Sequence, residues 1–324
     1  MLKLRRYYIF NISFCWHVHN FATLKKLKGF RQVEEFPKHS YPVTSATFIK
    51  NGSEIISSSM DGTIQIWNLA QPSKSLILRK SSTRFKDAQL SPDGNWIGAC
   101  SDTGSITLWN ANTNKEVWTS PGDGKVLTAV QFSLDSTMVL CSSTGGTIKL
   151  WDIRSRQEKK TLIHPEWVTG LQCLPNGRVL SSSFDATSVI WEMEAGEKVH
   201  VFEGHSGPVM KAQFCSEKNY VVTCSKDKTV RVWDVESGKE VRTLGTHEHV
   251  VTCVKFFPDG KTVVSSSGDT IQWWNITTGE MIDTLKSHHN VVKMDVSPNS
   301  DIVSCADDTI KLWTLDRKKR HLFN

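Results

Sequence analysis

A tryptophan closes a short β-branched segment seven times along this chain, and the near-constant interval between copies restricts the fold more than any other feature. The segments are TIQIW ending at Trp67, SITLW at Trp109, TIKLW at Trp151, TSVIW at Trp191, TVRVW at Trp233, TIQWW at Trp274 and TIKLW at Trp313, spaced by 42, 42, 40, 42, 41 and 39 residues. A unit of that length is too short to bury a core by itself, so neighbouring copies must pack on one another. Each copy reads alike: an alternating segment such as VMKAQF, a turn, a short apolar segment such as YVVTCS, an Asp-containing turn, the tryptophan segment, another turn, and a more polar segment such as KEVRTL. Period-two alternation broken by turns means four short strands per unit. The turns between the first two strands carry Asn51, Asp93, Asn176, Asp259 and Asn299, residue types that suit tight hairpins because Asn, Asp and Gly tolerate positive φ.

Seven such units predict an all-β fold, a seven-bladed β-propeller of four-stranded antiparallel blades. Only three strands of the last blade, within about residues 290–314, are available at the C-terminal end. The segment RQVEEF at 31–36 stands before His39 as KEVRTL stands before His247, so an N-terminal strand is expected to complete blade 7 and close an otherwise open edge. Three regions follow: an N-terminal tail over 1–26, expected to be disordered, the propeller over 27–316, and a basic C-terminal tail over 317–324.

The formal charge of +6 belongs to the ends, because residues 1–31 hold seven Lys and Arg, residues 317–324 hold four, and neither stretch holds an acidic residue. The body is therefore slightly acidic and lacks the basic stripe that a phosphate backbone requires, so no nucleic acid is expected on the propeller. No run of apolar residues is long enough to predict a membrane span. Eight cysteines form no CxxC pair, and no His cluster has metal-ligand spacing. Neither a metal nor a cofactor is expected. Seven of the cysteines, all but Cys15, fall in predicted inner strands, where a thiol serves as a small apolar group, which favours a reducing compartment.

The repeated residues resemble the WD-repeat (WD40, β-transducin-like) family over roughly residues 27–316. Trp151-Asp152 and Trp233-Asp234 carry its signature dipeptide, and Gly204-His205 carries its Gly-His pair. The resemblance implies a buried hydrogen-bond set in each blade, built from a histidine, a serine, a turn aspartate and the tryptophan. Full sets are His39, Ser59, Asp61, Trp67; His164, Ser183, Asp185, Trp191; and His205, Ser225, Asp227, Trp233. Blade 6 offers His247, Ser267, Asp269 and Trp274 with a turn one residue short. Blades 2 and 3 have Ser81 and Asp123 in place of the histidine and Thr103 and Gly145 in place of the aspartate, and are expected to be the least rigid. A Ser, a His and an Asp together also describe a hydrolase triad, but a triad occurs once and this set recurs, so a structural role is expected.

The resemblance further implies that partners bind at the loops and strand ends of the propeller's narrower face. The corresponding positions hold Trp167 and Phe184 in blade 4, Met210 and Lys226 in blade 5, and Arg84, Lys86 and Asp102 in blade 2. Large apolar groups beside cations have the composition of a binding hot spot; packing of Trp167 on Pro165 or a neighbouring loop is the structural alternative. The run Trp151-Asp152-Ile153-Arg154 is similar to the WDxR box with which some propellers dock onto a cullin-RING ubiquitin ligase adaptor, a role that would turn Asp152 and Arg154 toward the adaptor.

No Gly-rich phosphate loop and no isolated nucleophile with a base is found, so no enzymatic activity and no catalytic residue are expected, although a central channel leaves room for a small ligand. The expected function is a non-catalytic scaffold for other proteins or peptides, monomeric within a larger complex; the alternative is a ligase substrate receptor. Residues 1–26 read as a disordered tail, a mispredicted start or a targeting segment. The unpaired thiols and the sequons at Asn51 and Asn275 favour the cytoplasm over secretion, and Arg317, Lys318, Lys319 and Arg320 suit a nuclear-import patch.

Overall fold

In the computed structural model, residues 30–37, 39–79, 83–287 and 290–315 are described, and both basic tails lie outside them. These residues form seven four-stranded antiparallel sheets. Six sheets run in chain order from the innermost to the outermost strand, over 43–79, 85–119, 127–163, 168–202, 209–246 and 251–286. In the seventh, Phe30–Glu35 lies outside Thr309–Leu315, Ile302–Ala306 and Lys293–Val296. The expected closure is present: Gln32 pairs with Trp313 and Glu35 with Lys311. Phe30 stacks on Trp273 at 4.8 Å, which ties the closing strand to blade 6 as well.

Seven apolar clusters, each spanning one pair of neighbouring blades, make up the core. Second strands are buried over all or nearly all of their length, as in Thr262–Ser267 and in Glu54–Ser59 beyond its first residue, because each lies mid-sheet with a neighbouring blade on either face. Outer strands such as Glu240–Thr246 are largely exposed and carry charged residues that protect the free edge. Hairpin turns use positive φ as expected, with Asn51 at 57° and Asn176 at 61°. Where Asp93 and Asp259 stand, the following glycine takes it instead, Gly94 at 75° and Gly260 at 59°. The Asp side chains there accept backbone N–H bonds from Asn95, Lys261 and Thr262. Seven cysteines are free and buried, with Cys141, Cys173 and Cys305 pushed up to about 12 chiefly by burial. Among the described residues no helix is long and apolar enough to cross a membrane.

Candidate functional site

The polar residues of the repeat are structural. In blade 1 the Trp67 indole N–H and His39 Nε2 meet on one hydroxyl, that of Ser57, each at 2.9 Å, and His39 Nδ1 lies 3.0 Å from Asp61. Burial lowers the pKa of His39 against the pull of Asp61, so the ring is neutral. The chain then runs one way: the indole donates to Ser57, Ser57 to His39, and His39 to the Asp61 carboxylate. Blades 4 and 5 repeat it through Ser181 and Thr223. Burial opposes ionisation of Asp185 and Asp227, yet hydrogen bonds from His164 and Thr187, and from Thr229 and His205, hold the carboxyls at about 2.

The bridging hydroxyl is thus not at Ser59, Ser183 or Ser225 but two residues earlier in each case, at Ser57, Ser181 and Thr223. Ser59, Ser183 and Ser225 serve the adjoining turn, accepting from the N–H of Asp61, Asp185 and Asp227. Residues two apart on a strand share a face, which is why the repeat pattern alone misplaced the link. In blade 6 Ser265, not Ser267, bridges His247 and Trp274. The short turn leaves His247 Nδ1 buried without a partner, and burial depresses this imidazole to about 4. In blade 3 the equivalent of Ser57 is Cys141, and the Trp151 indole N–H is buried and unsatisfied. Blade 2 instead links Ser101, Thr103 and Ser105. Ser57 is fully buried, so the triad-like arrangement has no accessible nucleophile.

A different set of residues opens to solvent. In six blades the pairing of the two innermost strands shifts register by one residue, between Val43/Ser45, Phe85/Asp87, Leu127/Ala129, Val168/Gly170, Val209/Lys211 and Val251/Cys253. A bulge of this kind re-aims the extra side chain. The six extra residues, Thr44, Lys86, Thr128, Thr169, Met210 and Thr252, all line one largely apolar funnel of about 730 Å³ where the innermost strands begin. Each of the four threonines donates its hydroxyl to a carbonyl at the start of the next blade, Phe85, Val168, Val209 and Val291, over 2.5–2.9 Å. Lys86 and Met210 break this pattern.

Trp167 and Phe184, also in the funnel, pack with ring centres 5.1 Å apart and planes tilted by 37°, and the Lys226 ammonium lies 4.4 Å from the Phe184 ring centre. Trp167 remains 48% exposed. The structure therefore gathers Trp167, Phe184, Met210 and Lys86 into one concave surface with Lys226 at its rim, whereas Arg84 is exposed outside the lining. The channel beneath holds groups that the repeat pattern did not single out. Lys293 pairs with Asp87 at 2.6 Å and Lys255 with Asp295 at 2.9 Å, with Lys211 beside them.

Asp152 and Arg154 lie elsewhere, in a groove of about 470 Å³ lined also by Trp96, Trp118 and Arg156. One Asp152 oxygen accepts both the backbone N–H and the hydroxyl of Ser155, as Asp234 accepts from Ser237 in blade 5. Arg154 is exposed. Among the described residues no group of three or more His, Cys, Asp or Glu is placed to hold a metal ion.

Comparison with known proteins agrees with this architecture. The model of the WD40 family, described as WD domain, G-beta repeat, matches at 30–68, 78–110, 114–152, 156–192, 196–234, 238–275 and 279–314. The matched units are offset from the blades: each begins in or just before an outer strand and ends on the tryptophan strand of the next blade, which is how the first unit comes to complete blade 7. The guanine nucleotide-binding protein subunit beta of Oryza sativa subsp. japonica is 28% identical over 240 residues, 71% of this chain and 54% of the relative. Telomerase protein component 1 of Rattus norvegicus is 24% identical over 312 residues, 89% of this chain and 12% of the relative. The chain thus spans about half, or much less, of the length of these relatives. With seven matched repeats and seven four-stranded blades, the chain belongs to the WD40 repeat family.

Proposed function

We propose that this chain is a non-catalytic interaction scaffold that binds a protein or peptide at the mouth of its channel and acts as one member of a larger complex. A single observation carries the reading. Four of the six bulge positions hold a threonine that latches one blade to the next, and the two that do not, Lys86 and Met210, lie in the same funnel as Trp167 and Phe184. A local rule given up where no structural gain replaces it marks a functional position, and a concave apolar wall rimmed by cations fits a binding hot spot. The names of the relatives, a subunit and a component, accord with membership of an assembly. The buried unpaired thiols suit a reducing compartment such as the cytoplasm.

Affinity purification with quantitative mass spectrometry tests this, comparing the wild-type chain with a Trp167→Ala, Phe184→Ala double variant. Both aromatic rings border the open funnel, so the variant is expected to keep the propeller and lose a specific set of proteins. An unchanged set would overturn the reading. A second reading, a ligase substrate receptor, rests on Arg154 being exposed in the groove beside Trp96 and Trp118. It requires a cullin-RING adaptor among the retained proteins and its loss in Arg154→Glu.

A further inference from the structure

The floor of the funnel carries an uncompensated charge. Three lysines, Lys211, Lys255 and Lys293, and two aspartates, Asp87 and Asp295, face the channel. Asp87 is taken by Lys293 and Asp295 by Lys255. No described carboxylate lies within ion-pairing distance of Lys211. The backbone makes room for this side chain, since a Cβ at Gly170 would stand 3.1 Å from both its Cδ and its Nζ. Lys211 borders both the funnel above and a smaller polar cavity of about 180 Å³ below, so its head group sits where the apolar mouth ends and the polar channel begins.

From this we infer that the mouth recognises an extended segment of a partner protein that inserts an Asp or Glu side chain onto Lys211 and lays a large apolar residue beside it on Trp167, Phe184 and Met210. The inference rests on the mouth being the docking face, as proposed above, and adds the chemistry of what docks there. Charge complementarity carries it. The ammonium is already largely withdrawn from water and confronts two further cations, so a carboxylate that reaches it gains an ion pair at a site where the protein has already lost solvation on folding. Burial, with the like charges of Lys293 and Lys255, pulls Lys211 down to about 8 against the weaker opposing pull of Asp87, a direction that an incoming carboxylate reverses. Lys86 and Lys226, at the lining and rim of the mouth, add to the same field. A basic segment would be repelled by this arrangement, and a neutral one would gain no ion pair from it. The partly exposed Trp167 and Phe184 rings supply the apolar share of the binding surface, which the lysine alone does not.

The test selects random twelve-residue peptides displayed on phage against the full chain, then measures the affinity of the recovered sequences as synthetic peptides. Peptides with an Asp or Glu next to a large apolar residue are expected to dominate. Each should weaken about ten-fold or more on Lys211→Met, which keeps the length of the side chain, and recover on Lys211→Arg. Replacing the acidic residue of the peptide by its amide should have the same effect as Lys211→Met, and the two losses should not add. Thermal unfolding of each variant shows that the propeller is retained. Acetate and inorganic phosphate, titrated alone, are expected to bind far more weakly than the peptides. If they bind as tightly, the site is a small-anion site and the peptide proposal fails. Selection without acidic enrichment, or binding unaffected by Lys211→Met, also overturns the proposal. The docking face itself survives in those cases if Trp167→Ala, Phe184→Ala still abolishes binding, and falls too if it does not.

Discussion

The hydroxyl of Thr169 donates to the backbone carbonyl of Val209, 2.7 Å away and one blade further round. The same latch runs from Thr44, Thr128 and Thr252 to the blades that follow them, so a bulge that opens the innermost pairing also joins neighbouring sheets. Lys86 stands at the equivalent bulge of blade 2 without such a bond. Lys86→Thr is therefore expected to raise stability by about 1 kcal/mol, and Thr169→Val to lower it by a similar amount, with denaturant midpoints as the readout. A loss of stability in Lys86→Thr would show that the lysine has a structural role in the fold.

Ser57 satisfies two buried groups at once, His39 and Trp67. Ser57→Ala strands both, and a cost of about 2–4 kcal/mol follows. The reverse holds in blade 3, where the Trp151 N–H is buried without a partner and Cys141 occupies the bridging position. Cys141→Ser supplies the missing acceptor, and equilibrium unfolding should show a gain of about 1 kcal/mol, although a hydroxyl is being placed in a core. A loss would mean that the indole cannot reach it.

His247 gives the fold a pH limit of its own. Burial depresses its imidazole to about 4 from 6.5, so in the window between these values the unfolded chain binds the proton more readily than the folded one. Its contribution is fully present above pH 6.5 and lost as the pH falls through the folded value. Thermal melts are expected to lose on the order of 2–3 kcal/mol across this window, and His247→Gln should flatten the slope. Asp185 and Asp227, held at about 2, act lower. Their stabilisation is present above the ordinary carboxylate value of 3.8 and disappears as the pH falls through about 2. A melt indifferent to pH between 6.5 and 4 would contradict the assignment.

Blades 2 and 3 lack the histidine–aspartate link that ties strand to turn in blades 1, 4 and 5. Amide hydrogen exchange is expected to be faster in the second and third strands of 85–119 and 127–163 than in those three blades. Equal protection would show that the Ser101–Thr103–Ser105 and Ser143–Thr147 hydroxyl contacts replace the link in full.

Sequence and structure agree where the information is local and periodic. Seven tryptophans at a steady interval specify the blades, the Asn and Gly positions specify the hairpins, and the segment before His39 specifies the closing strand. Trp167, Phe184 and Met210 could be picked out because the family resemblance, laid on the repeat register, assigns such strand-end positions to the narrower face. What stayed hidden depends on geometry that a linear pattern does not carry. Ser57 and Ser59 are equivalent by alternation, and only the register across to Gln65 and Trp67 separates the bridge from the turn. The bulges that turn Lys86 and Thr169 into the funnel are a property of pairing. The Asp87–Lys293 pair joins equivalent positions of blades 2 and 7 inside the channel, and the repeat register alone does not say that these two side chains meet.

The strand at Phe30–Glu35 pairs with Thr309–Leu315, and this has a consequence for how the protein is made. A ribosome releases the first partner long before the second exists, so the closing strand must wait, with its hydrogen-bonding edge unsatisfied, until nearly all the described chain has emerged. At about 5–20 residues per second the delay is tens of seconds, far longer than a hairpin needs to form. Individual blades can assemble as they appear, yet the ring becomes a ring only in its final step, and throughout that interval the nascent chain presents a free β-edge to every other chain nearby.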